Sequence, residues 1–395
     1  MHRGSGVSQL SVLVVHNAYQ QAGGEDGVVA AEVGLLRDNG HEVVELRRDN
    51  HQIDAMSRAR VAAQALWSCA THEQALGLLR RHRPAVVHVH NTFPLISPSL
   101  YWACAQVGVP VVQTLHNFRL ACPKATFLRD GKVCESCLGK TPWPALAHSC
   151  YRDSRAQTAV VFGMLALHRT LRTFERKVSR YIALTEFCRG KFIQAGLPAE
   201  RIDVKPNFAD FDLPRERRAR SGMLFVGRRA VEKGIDVLAQ AWPGCADIGL
   251  RVVGEGTAGA ALESQAGVEM LGGRTSAQVQ IEMQSAMALV LPSICFENFP
   301  RTVVEAFGAG LPVIASRIGA LAELIEPGKT GLLFEPGDAK DLARAVRWAA
   351  AHPQQMADMG GNARARYESL YTPDINYLQL LAIYRCAIDD TRSET

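Results

Sequence analysis

The sequence of 395 residues contains no long apolar run. A membrane-spanning helix needs about 18 to 20 consecutive apolar residues, whereas the longest apolar window, Thr158 to Leu167, ends at His168 and Arg169. The run from Leu10 to Val15 is short and β-like, and no small-residue cleavage site of a signal peptide follows it. We therefore expect a cytoplasmic protein whose contact with a membrane is at most peripheral, at the inner face of the plasma membrane.

Aromatic residues are scarce, at 7%, and the charge balance is mild, with 44 Lys and Arg against 39 Asp and Glu and a net charge of +5. A nucleic-acid-binding protein would show a dense basic stripe with interleaved aromatic residues, so we expect no nucleic-acid partner. Hydrophobic residues make up 47% of the chain, which is typical of a globular protein with a core. The small positive excess suits anionic small molecules or an anionic membrane surface.

Apolar segments of strand length alternate with helical segments twice along the chain. This order favours parallel sheets with right-handed crossovers, so the sequence predicts an α/β fold of two Rossmann-like βαβ domains that face a central cleft. We predict an N-terminal domain over residues 1–210, a linker at 211–221, a C-terminal domain over 222–372 and a final helix at 373–395. Residues 118–154 are predicted to form an insert rich in Cys and Pro, followed by one long helix from Ala156 to Ser179.

The segment from Ser293 to Ser316 carries two glutamates, Glu297 and Glu305, between two predicted strands. Pro300 suits the first turn of a helix because its missing N–H costs nothing there. Glu297 is therefore expected in the loop before this helix and Glu305 within it. Free amides at a helix start can bind oxyanions or sugar hydroxyls. Two glutamates eight positions apart also occur by chance, but the strand-loop-helix-strand context favours a binding site.

A second segment places two cations after a predicted strand that ends at Gly227. Arg228 and Lys233 flank the turn into the next helix. At the mouth of a cleft they would neutralise a diphosphate, because arginine offers a planar fork of donors and lysine a point charge. The alternative is a basic turn that only contacts solvent.

Together these segments resemble the family-4 glycosyltransferases of the GT-B fold, and the resemblance covers nearly the whole chain. The paired-glutamate motif of that family matches Glu297 and Glu305, and its Gly-Arg…Glu-Lys-Gly segment matches Gly227 to Asp236. Further motifs match in the family's order, and these are Gly23-Gly24 after the first strand, Thr114-Leu115-His116 at a strand end and Pro206-Asn207 before the linker.

The resemblance implies transfer of a sugar from a nucleotide-diphosphate donor, with retention of anomeric configuration and without a metal or other cofactor in catalysis. By carry-over, Arg228 and Lys233 hold the diphosphate and stabilise the leaving group. Glu297 contacts the donor sugar, and Glu305 accepts hydrogen bonds from the ribose hydroxyls. The other implied site residues are Gly23, Gly24, Gly227, Gly254, Asn298 and Phe299 at the donor and His116 near the reacting centre. The last helix would cross back to the first domain.

His116 is favoured as the active-site histidine because it matches the family motif. A histidine at a strand end is often only a capping donor, and His88 and His90 compete for the role, since strand alternation places both on one face. The segment Gly254 to Gly259 also reads as G-x-G-x-x-G after a strand, which alone is a weak signal for a dinucleotide site. The resemblance favours a turn near the nucleotide instead.

Four cysteines lie in the insert with the spacing C-x11-C-x2-C-x12-C, namely Cys122, Cys134, Cys137 and Cys150. Four thiolates can hold a structural zinc ion in a region too small to have its own core. Reduced thiols or a disulfide pair are the alternatives, and the absence of a secretory signal favours reduced thiols. The insert is similar to one in some bacterial glycosyltransferases of cell-surface polysaccharide synthesis.

The segment Met164 to Arg180 spaces basic and apolar residues like an amphipathic helix. Packing on the first sheet is the simpler interpretation, and binding to a membrane surface, which would suit a lipid-linked acceptor, is the alternative. We predict a hexosyltransferase-type enzyme that extends a glycan or lipid-linked glycan for a surface polysaccharide. A nucleotide-sugar epimerase of the same fold and a non-catalytic nucleotide-sugar-binding subunit are the alternatives.

Overall fold

The computed structural model of the chain describes residues 9–20, 23–211 and 219–393. Within them the first domain contains a parallel sheet and a short antiparallel hairpin. The strands are β1 (Ser11–Ala18), β2 (Glu42–Asp49), β3 (Val86–Asn91), β4 (Val111–Thr114), the hairpin strands β5 (Leu128–Arg129) and β6 (Lys132–Val133), β7 (Arg180–Ala183) and β8 (Ile202–Val204). The helices are α1 (Gly24–Asp38), α2 (Arg58–Leu66), α3 (Cys69–His82), α4 (Ser99–Gln106), α5 (Trp143–Ala147), α6 (Arg155–Thr170), α7 (Thr173–Arg176) and α8 (Glu186–Gln194).

The first sheet has the strand order β2-β1-β3-β4-β7-β8, and all its pairings are parallel. Its central strands are continuous β-branched runs because helices cover both faces of the sheet. The order changes direction between β1 and β3. In open α/β sheets a crevice forms at the carboxyl ends of the strands at such a point, and ligands bind there.

The second domain repeats this plan. Its strands are β9 (Met223–Val226), β10 (Leu250–Val253), β11 (Val268–Gly272), β12 (Ala288–Leu291), β13 (Val313–Ser316) and β14 (Gly331–Phe334). Its helices are α9 (Ile235–Ala241), α10 (Ala260–Glu263), α11 (Ser276–Ser285), α12 (Arg301–Gly308), α13 (Gly319–Leu324), α14 (Ala339–Ala351) and α15 (Pro353–Leu370). The order β11-β10-β9-β12-β13-β14 puts its reversal between β9 and β12. Two Rossmann-like domains are thus confirmed.

Two helix predictions are wrong in detail. The helix predicted from Ala156 to Ser179 is two helices, α6 and α7, because the chain turns at Arg172, whose φ is +52°. Most of its apolar residues, among them Leu165 and Phe174, are buried in the first domain's core, whereas Leu171 is 39% exposed. Most of the apolar face considered for membrane binding is therefore covered by the protein itself.

The sequence predicts a glycine-rich turn at 22–27 and a helix start near Val28, but the first helix, α1, begins at Gly24. Asp26 explains this early start, since its carboxylate accepts a hydrogen bond from the Gly23 N–H at 2.8 Å. An acidic side chain in the first turn satisfies an amide that has no partner within the helix.

The last helix, α16 (Pro373–Ser393), leaves the second domain and packs on the first. A hydrogen bond of 2.8 Å joins Tyr377 Oη to His41 Nε2, and one of 2.7 Å joins Tyr384 Oη to His88 Nδ1. The buried apolar side of α16 belongs to a cluster that also contains residues of α1, α12 and α15. This helix therefore joins the cores of both domains.

The two connections between the domains lie side by side. Ala209 N donates to Tyr371 O at 3.3 Å, and Tyr367 Oη donates to Ala209 O at 2.8 Å. Most of the predicted linker, residues 212–218, lies outside the described residues. In the described part of the chain, none of the helices combines the length and the hydrophobicity that a bilayer span requires.

Candidate functional site

The loops at the reversal point of the second sheet bring Lys233 and Glu297 together. Lys233 follows β9 at the end of a short 3-10 turn, and Glu297 lies in the loop between β12 and α12. Lys233 Nζ donates to Glu297 Oε1 at 2.7 Å, and Ser293 Oγ donates to the same oxygen at 2.7 Å. Two residues 64 positions apart thus form an ion pair at the edge of the sheet where a ligand is expected to bind.

The electrostatics of this pair keep both members charged. Burial opposes the charge of Glu297, but Lys233 and the Ser293 hydroxyl outweigh it and lower the pKa of the carboxyl. Burial likewise opposes the ammonium, but the Glu297 carboxylate raises the pKa of Lys233. A lysine held as a cation by a carboxylate can exchange that partner for another anionic group.

Gly234 explains how these two loops approach so closely. Its φ is +70°, and a Cβ atom there would overlap the carbonyl oxygen of Pro292. Glycine alone avoids both the strained backbone and the overlap. The residue after Lys233 therefore packs directly on the start of the loop that carries Glu297.

A similar contact accounts for the glycines of the segment that reads as a dinucleotide motif. Gly254 has a φ of +137°, and a Cβ there would overlap the carbonyl oxygen of Gly227. At Gly256 a Cβ would overlap the carbonyl oxygen of Arg229. These glycines allow the turn after β10 to pack directly on the turn after β9. Close packing between the two turns therefore explains the G-x-G pattern without a bound pyrophosphate. Gly227 and Gly254 lie together beside the Lys233 turn.

Arg228 and Glu305 each have a partner of their own. The Arg228 side chain is 67% exposed and pairs with Glu232 at 3.1 Å, next to the Lys233 turn. Glu305 pairs with Arg301 at 3.1 Å within α12. Burial raises the pKa of Glu305, and the Arg301 guanidinium partly offsets that rise. The site therefore holds three charged pairs at the carboxyl edge of the second sheet.

Asn298 connects this edge to the first domain. Its side-chain Nδ2 donates to Leu115 O, and its own carbonyl oxygen accepts from Cys188 Sγ at 3.1 Å. Leu115 directly precedes His116, so the Glu297 loop lies against the end of β4. Phe299 is buried, with its ring centroid 6.2 Å from that of Tyr371. Asn298 thus bridges the two domains, a role that the donor-binding prediction did not include, whereas Phe299 packs within the second domain.

His116 is the outermost member of a stack of three histidines. Ring centroids are 4.1 Å apart for His88 and His90 and 5.2 Å apart for His90 and His116. A hydrogen bond of 2.8 Å joins His90 Nδ1 and His116 Nε2. Burial lowers the pKa of all three, for His116 to about 3. They are neutral at pH 7, and His116 is the one at the strand end that the family motif indicates.

A buried ion pair that the sequence analysis missed lies below these histidines. Lys205 Nζ donates to Glu32 Oε1 at 2.6 Å and to Asn376 Oδ1 at 3.0 Å. Glu32 Oε2 faces His90 Nε2 at 3.6 Å. Glu32, His88 and His90 place potential metal-ligand atoms within 4.8 Å of one another. The Lys205 ammonium already balances the carboxylate, so a cation there would be repelled.

The glycine loop of the first domain carries a second polar group that the sequence analysis missed. Asp26 Oδ1 lies 2.8 Å from His16 Nε2, and Tyr19 Oη donates to Glu25 Oε2 at 2.8 Å. Burial raises the pKa of Glu25 to about 8, and the nearby Asp26 adds to the rise. A Cβ on Gly24 would meet open space, so packing within the protein does not require glycine there. The only sequence signal for these side chains was their place next to Gly23.

The four cysteines of the insert line one small cavity together. Cys122 and Cys137 are buried, and Cys134 and Cys150 are partly exposed. No three of their sulfur atoms lie mutually within 4.8 Å. All ten cysteines of the chain are free thiols.

Family comparisons match both domains. Residues 17–213 match the family described as Glycosyltransferase Family 4, and residues 220–352 match that described as Glycosyl transferases group 1. The chain is 35% identical over 166 residues to the D-rhamnosyltransferase WbpZ of Pseudomonas aeruginosa, covering 40% of this chain and 43% of WbpZ. It is 32% identical over 193 residues to a phosphatidyl-myo-inositol mannosyltransferase of Mycobacterium leprae, covering 45% and 51%. The matched regions thus span about half the length of these relatives.

Solved structures share the whole architecture at low sequence identity. A sucrose-phosphate synthase from Thermosynechococcus elongatus superimposes with a TM-score of 0.69 at 18% identity, over 95% of this chain and 98% of that one. HepE of Anabaena, solved in complex with UDP, gives 0.63 at 18% identity, over 94% and 99%. The family matches cover both domains, and they agree with the two parallel sheets and with the paired loops at the reversal points of these sheets. The chain belongs to the family-4 glycosyltransferases of the GT-B fold.

Proposed function

We propose that this protein transfers a sugar from a nucleoside-diphosphate sugar to an acceptor hydroxyl with retention of configuration. The observation that carries the proposal is the Lys233–Glu297 pair, 2.7 Å apart, at the reversal point of the second sheet. Asn298, next to Glu297, contacts Leu115, next to His116, so the loop that carries Glu297 lies against the strand end that carries His116. The structurally similar HepE was solved with UDP and with UDP-glucose, which supports a nucleotide-sugar donor.

The proposed chemistry uses the charges as they stand. The bond from the anomeric carbon to the diphosphate oxygen breaks, and negative charge develops on that oxygen. The acceptor oxygen bonds to the same carbon from the same face, and its proton passes to the departing diphosphate. Lys233 would leave Glu297 to neutralise this charge, with Arg228 assisting, so a metal ion is not assigned a catalytic role. The freed Glu297 carboxylate would accept hydrogen bonds from the sugar hydroxyls. Preorganised charges of this kind lower the barrier because they need no rearrangement during the reaction.

We propose a glycan or lipid-linked glycan as the acceptor, in the synthesis of a surface polysaccharide at the inner face of the membrane. Support comes from the relative named as a phosphatidyl-myo-inositol mannosyltransferase, whose named acceptor is a lipid. The net charge of +5 is compatible with an anionic surface. Sedimentation with anionic vesicles at low salt tests the membrane part, and protein that stays in the supernatant would contradict it.

Thermal unfolding with UDP, GDP, ADP and dTDP tests the donor site. A ligand at about 100 times its dissociation constant stabilises the folded state by about 2.7 kcal/mol. We expect one diphosphate to raise the Tm of the wild type and of Lys329→Ala, a matched control whose exposed lysine pairs with Glu326 in the same domain. Lys233→Ala should show little or no rise. An equal rise in Lys233→Ala, or none in the wild type, would overturn the assignment.

Turnover with the matching sugar nucleotide completes the test. Lys233→Ala is expected to lose about 10²- to 10³-fold in rate, the usual effect of removing one preorganised charge from a transition state. NMR of the product should show the anomeric configuration of the donor. Inverted product would exclude retention, and isomerisation of the donor without an acceptor would identify an epimerase.

A further inference from the structure

The part of the molecule that the proposed function does not use is the insert between β4 and α6, which we call the cysteine lobe (residues 118–154). Its regular structure is limited to a short 3-10 turn, the hairpin β5–β6 and the five-residue helix α5. The lobe has little apolar packing of its own, and its buried residues Phe118, Ala121 and Phe127 belong to the core of the first domain. Six of the nine non-glycine residues with positive φ in the described chain belong to the lobe, namely Ala125, Phe127, Asp130, Ser149, Arg152 and Asp153.

The four thiols come from three separate turns of the lobe. Cys122 follows the 3-10 turn, and its N–H donates to Phe118 O at 2.7 Å. Cys134 and Cys137 form a tight turn directly after β6, and Cys150 closes α5 with its N–H on Ala145 O at 3.0 Å. All four side chains line one cavity, together with the cations Lys124 and Arg129. One ligand bound there would tie all three turns together.

The chemistry of this ligand set points to a soft divalent cation. Four cysteines with a C-x2-C turn are a tetrahedral zinc ligand set. In a closed zinc site the sulfurs lie about 3.8 Å apart, given Zn–S bonds of about 2.3 Å, so binding would draw these more widely spaced thiols inward.

The cysteine lobe also contacts the loop that carries Glu297. Cys134 N donates to Phe127 O at 2.7 Å, which fixes the position of Phe127 relative to the hairpin. The Phe127 ring lies 5.7 Å from that of Phe296, the residue before Glu297. Lys191 lies 5.4 Å from the Phe296 ring centroid and pairs with Glu135, which lies between two of the cysteines.

We propose that the four thiols bind one zinc-class ion, and that this ion fixes the cysteine lobe as a support for the donor loop through the Phe127–Phe296 contact. The donor loop comprises residues 293–299, and its name rests on the proposed function. The Phe127–Phe296 contact is observed independently of that function. Removal of the ion is expected to loosen the hairpin and, through Phe127, the backbone around Phe296.

The first experiment measures zinc per chain in the intact protein by elemental analysis. Wild type and the control Cys69→Ser/Cys386→Ser, which changes two exposed cysteines outside the lobe, should hold close to one ion per chain. Cys134→Ser/Cys137→Ser should hold almost none. Should this variant fail to fold, titration of the wild type with a mercurial reagent must release zinc in proportion to thiol modification. Wild type that stays zinc-free after reconstitution, or that has fewer than ten titratable thiols when it is denatured without reductant, would overturn the proposal.

The second experiment is hydrogen exchange before and after chelation. Chelation should accelerate exchange in residues 118–154 and 293–299 and leave β13 unchanged. Phe127→Ala should keep its zinc and show fast exchange in 293–299 alone, whereas Val133→Ala, an exposed position in the same hairpin, should behave like wild type. Faster exchange confined to the lobe would overturn the support role. Hydrogen exchange and zinc content are measured without substrate. A failure of the proposed transfer reaction can therefore be distinguished from a failure of the zinc proposal.

Discussion

Folding changes the ionisation of the Glu25 carboxyl group. Burial raises its pKa to about 8 from an ordinary value near 4.5, so the folded protein holds a proton that the unfolded chain releases. Between these two values the folded state binds more protons than the unfolded state. The free energy of unfolding contributed by this group therefore falls as pH rises from about 4.5 to 8.

Glu25→Gln should remove this pH dependence while it keeps an acceptor for Tyr19. We expect the wild type to lose stability relative to the variant between pH 5 and 8, with a slope approaching about 1.4 kcal/mol per pH unit. Urea unfolding across this range measures it. Glu42→Gln, at an exposed position, should retain the wild-type slope. Parallel curves for wild type and Glu25→Gln would mean that Glu25 is ionised in the folded protein.

The Lys205–Glu32 pair supports the histidine stack from below. Both side chains are almost fully buried. Removal of one member of a buried ion pair costs about 3 to 5 kcal/mol because the other charge loses its partner. Lys205→Met should therefore be strongly destabilised in urea unfolding, and Lys205→Met/Glu32→Gln should recover part of that loss. Lys329→Met, at an exposed lysine, serves as the control. A double variant that loses as much as the sum of its single variants would rule out coupling.

Sequence reasoning found the chemical groups of the candidate site but not most of their contacts. Lys233 and Glu297 were identified because each follows a recognisable strand, and both strands end at one sheet edge. Lys205 and Glu32 are 173 positions apart, and nothing local distinguishes them from exposed charges. Their pairing depends on how α1, β8 and α16 pack, which is long-range information that a single sequence does not display.

At the scale of elements, the strands were the most predictable features. Strands such as β12 and β13 coincide with short apolar runs in the sequence, since parallel strands that are buried on both faces are nearly continuous apolar segments. The break between α6 and α7 was missed because Arg172 adopts a positive φ without a glycine or proline to signal it. The early start of α1 was missed because the Asp26 cap was read as part of a turn.

Gly234 makes a direct test of how the two loops are joined. Gly234→Ala would create both a strained φ and an overlap with Pro292, so the loop carrying Lys233 must move away from that carrying Glu297. We expect weaker binding of the nucleoside diphosphate and a loss of stability of about 1 to 3 kcal/mol. Gly337→Ala is the matched control, because its φ is +81° and a Cβ there meets open space. Equal effects of the two changes on nucleotide binding would show that strain alone, not the loop contact, matters.

At the scale of the whole molecule, a carboxylate from the second domain caps a helix of the first. Glu323 accepts hydrogen bonds from Glu186 N at 3.0 Å and from Phe187 N at 2.7 Å, at the start of α8. Charge-assisted hydrogen bonds of this kind contribute about 1.5 to 3 kcal/mol each. They favour the domain arrangement seen in the structure, because separation of the domains would replace these charge-assisted hydrogen bonds by weaker bonds to water.

Glu323→Ala should shift the domains toward a more open arrangement. Small-angle X-ray scattering should record a larger radius of gyration than for wild type. Glu335→Ala removes an exposed carboxylate of the same domain that pairs with Arg317, and it should scatter like wild type. An unchanged radius in Glu323→Ala would show that the contacts of Asn298 are enough to hold the domains closed.

The two interdomain connections, joined by the hydrogen bonds between Ala209 and Tyr367–Tyr371, have a consequence for the integrity of the chain. A single proteolytic cut between Phe211 and Ala219 would not release either domain. The peptide link from α15 into α16 would remain, and α16 would stay packed on the first domain. Such a nicked molecule would run as two fragments on a denaturing gel and as one particle in native solution.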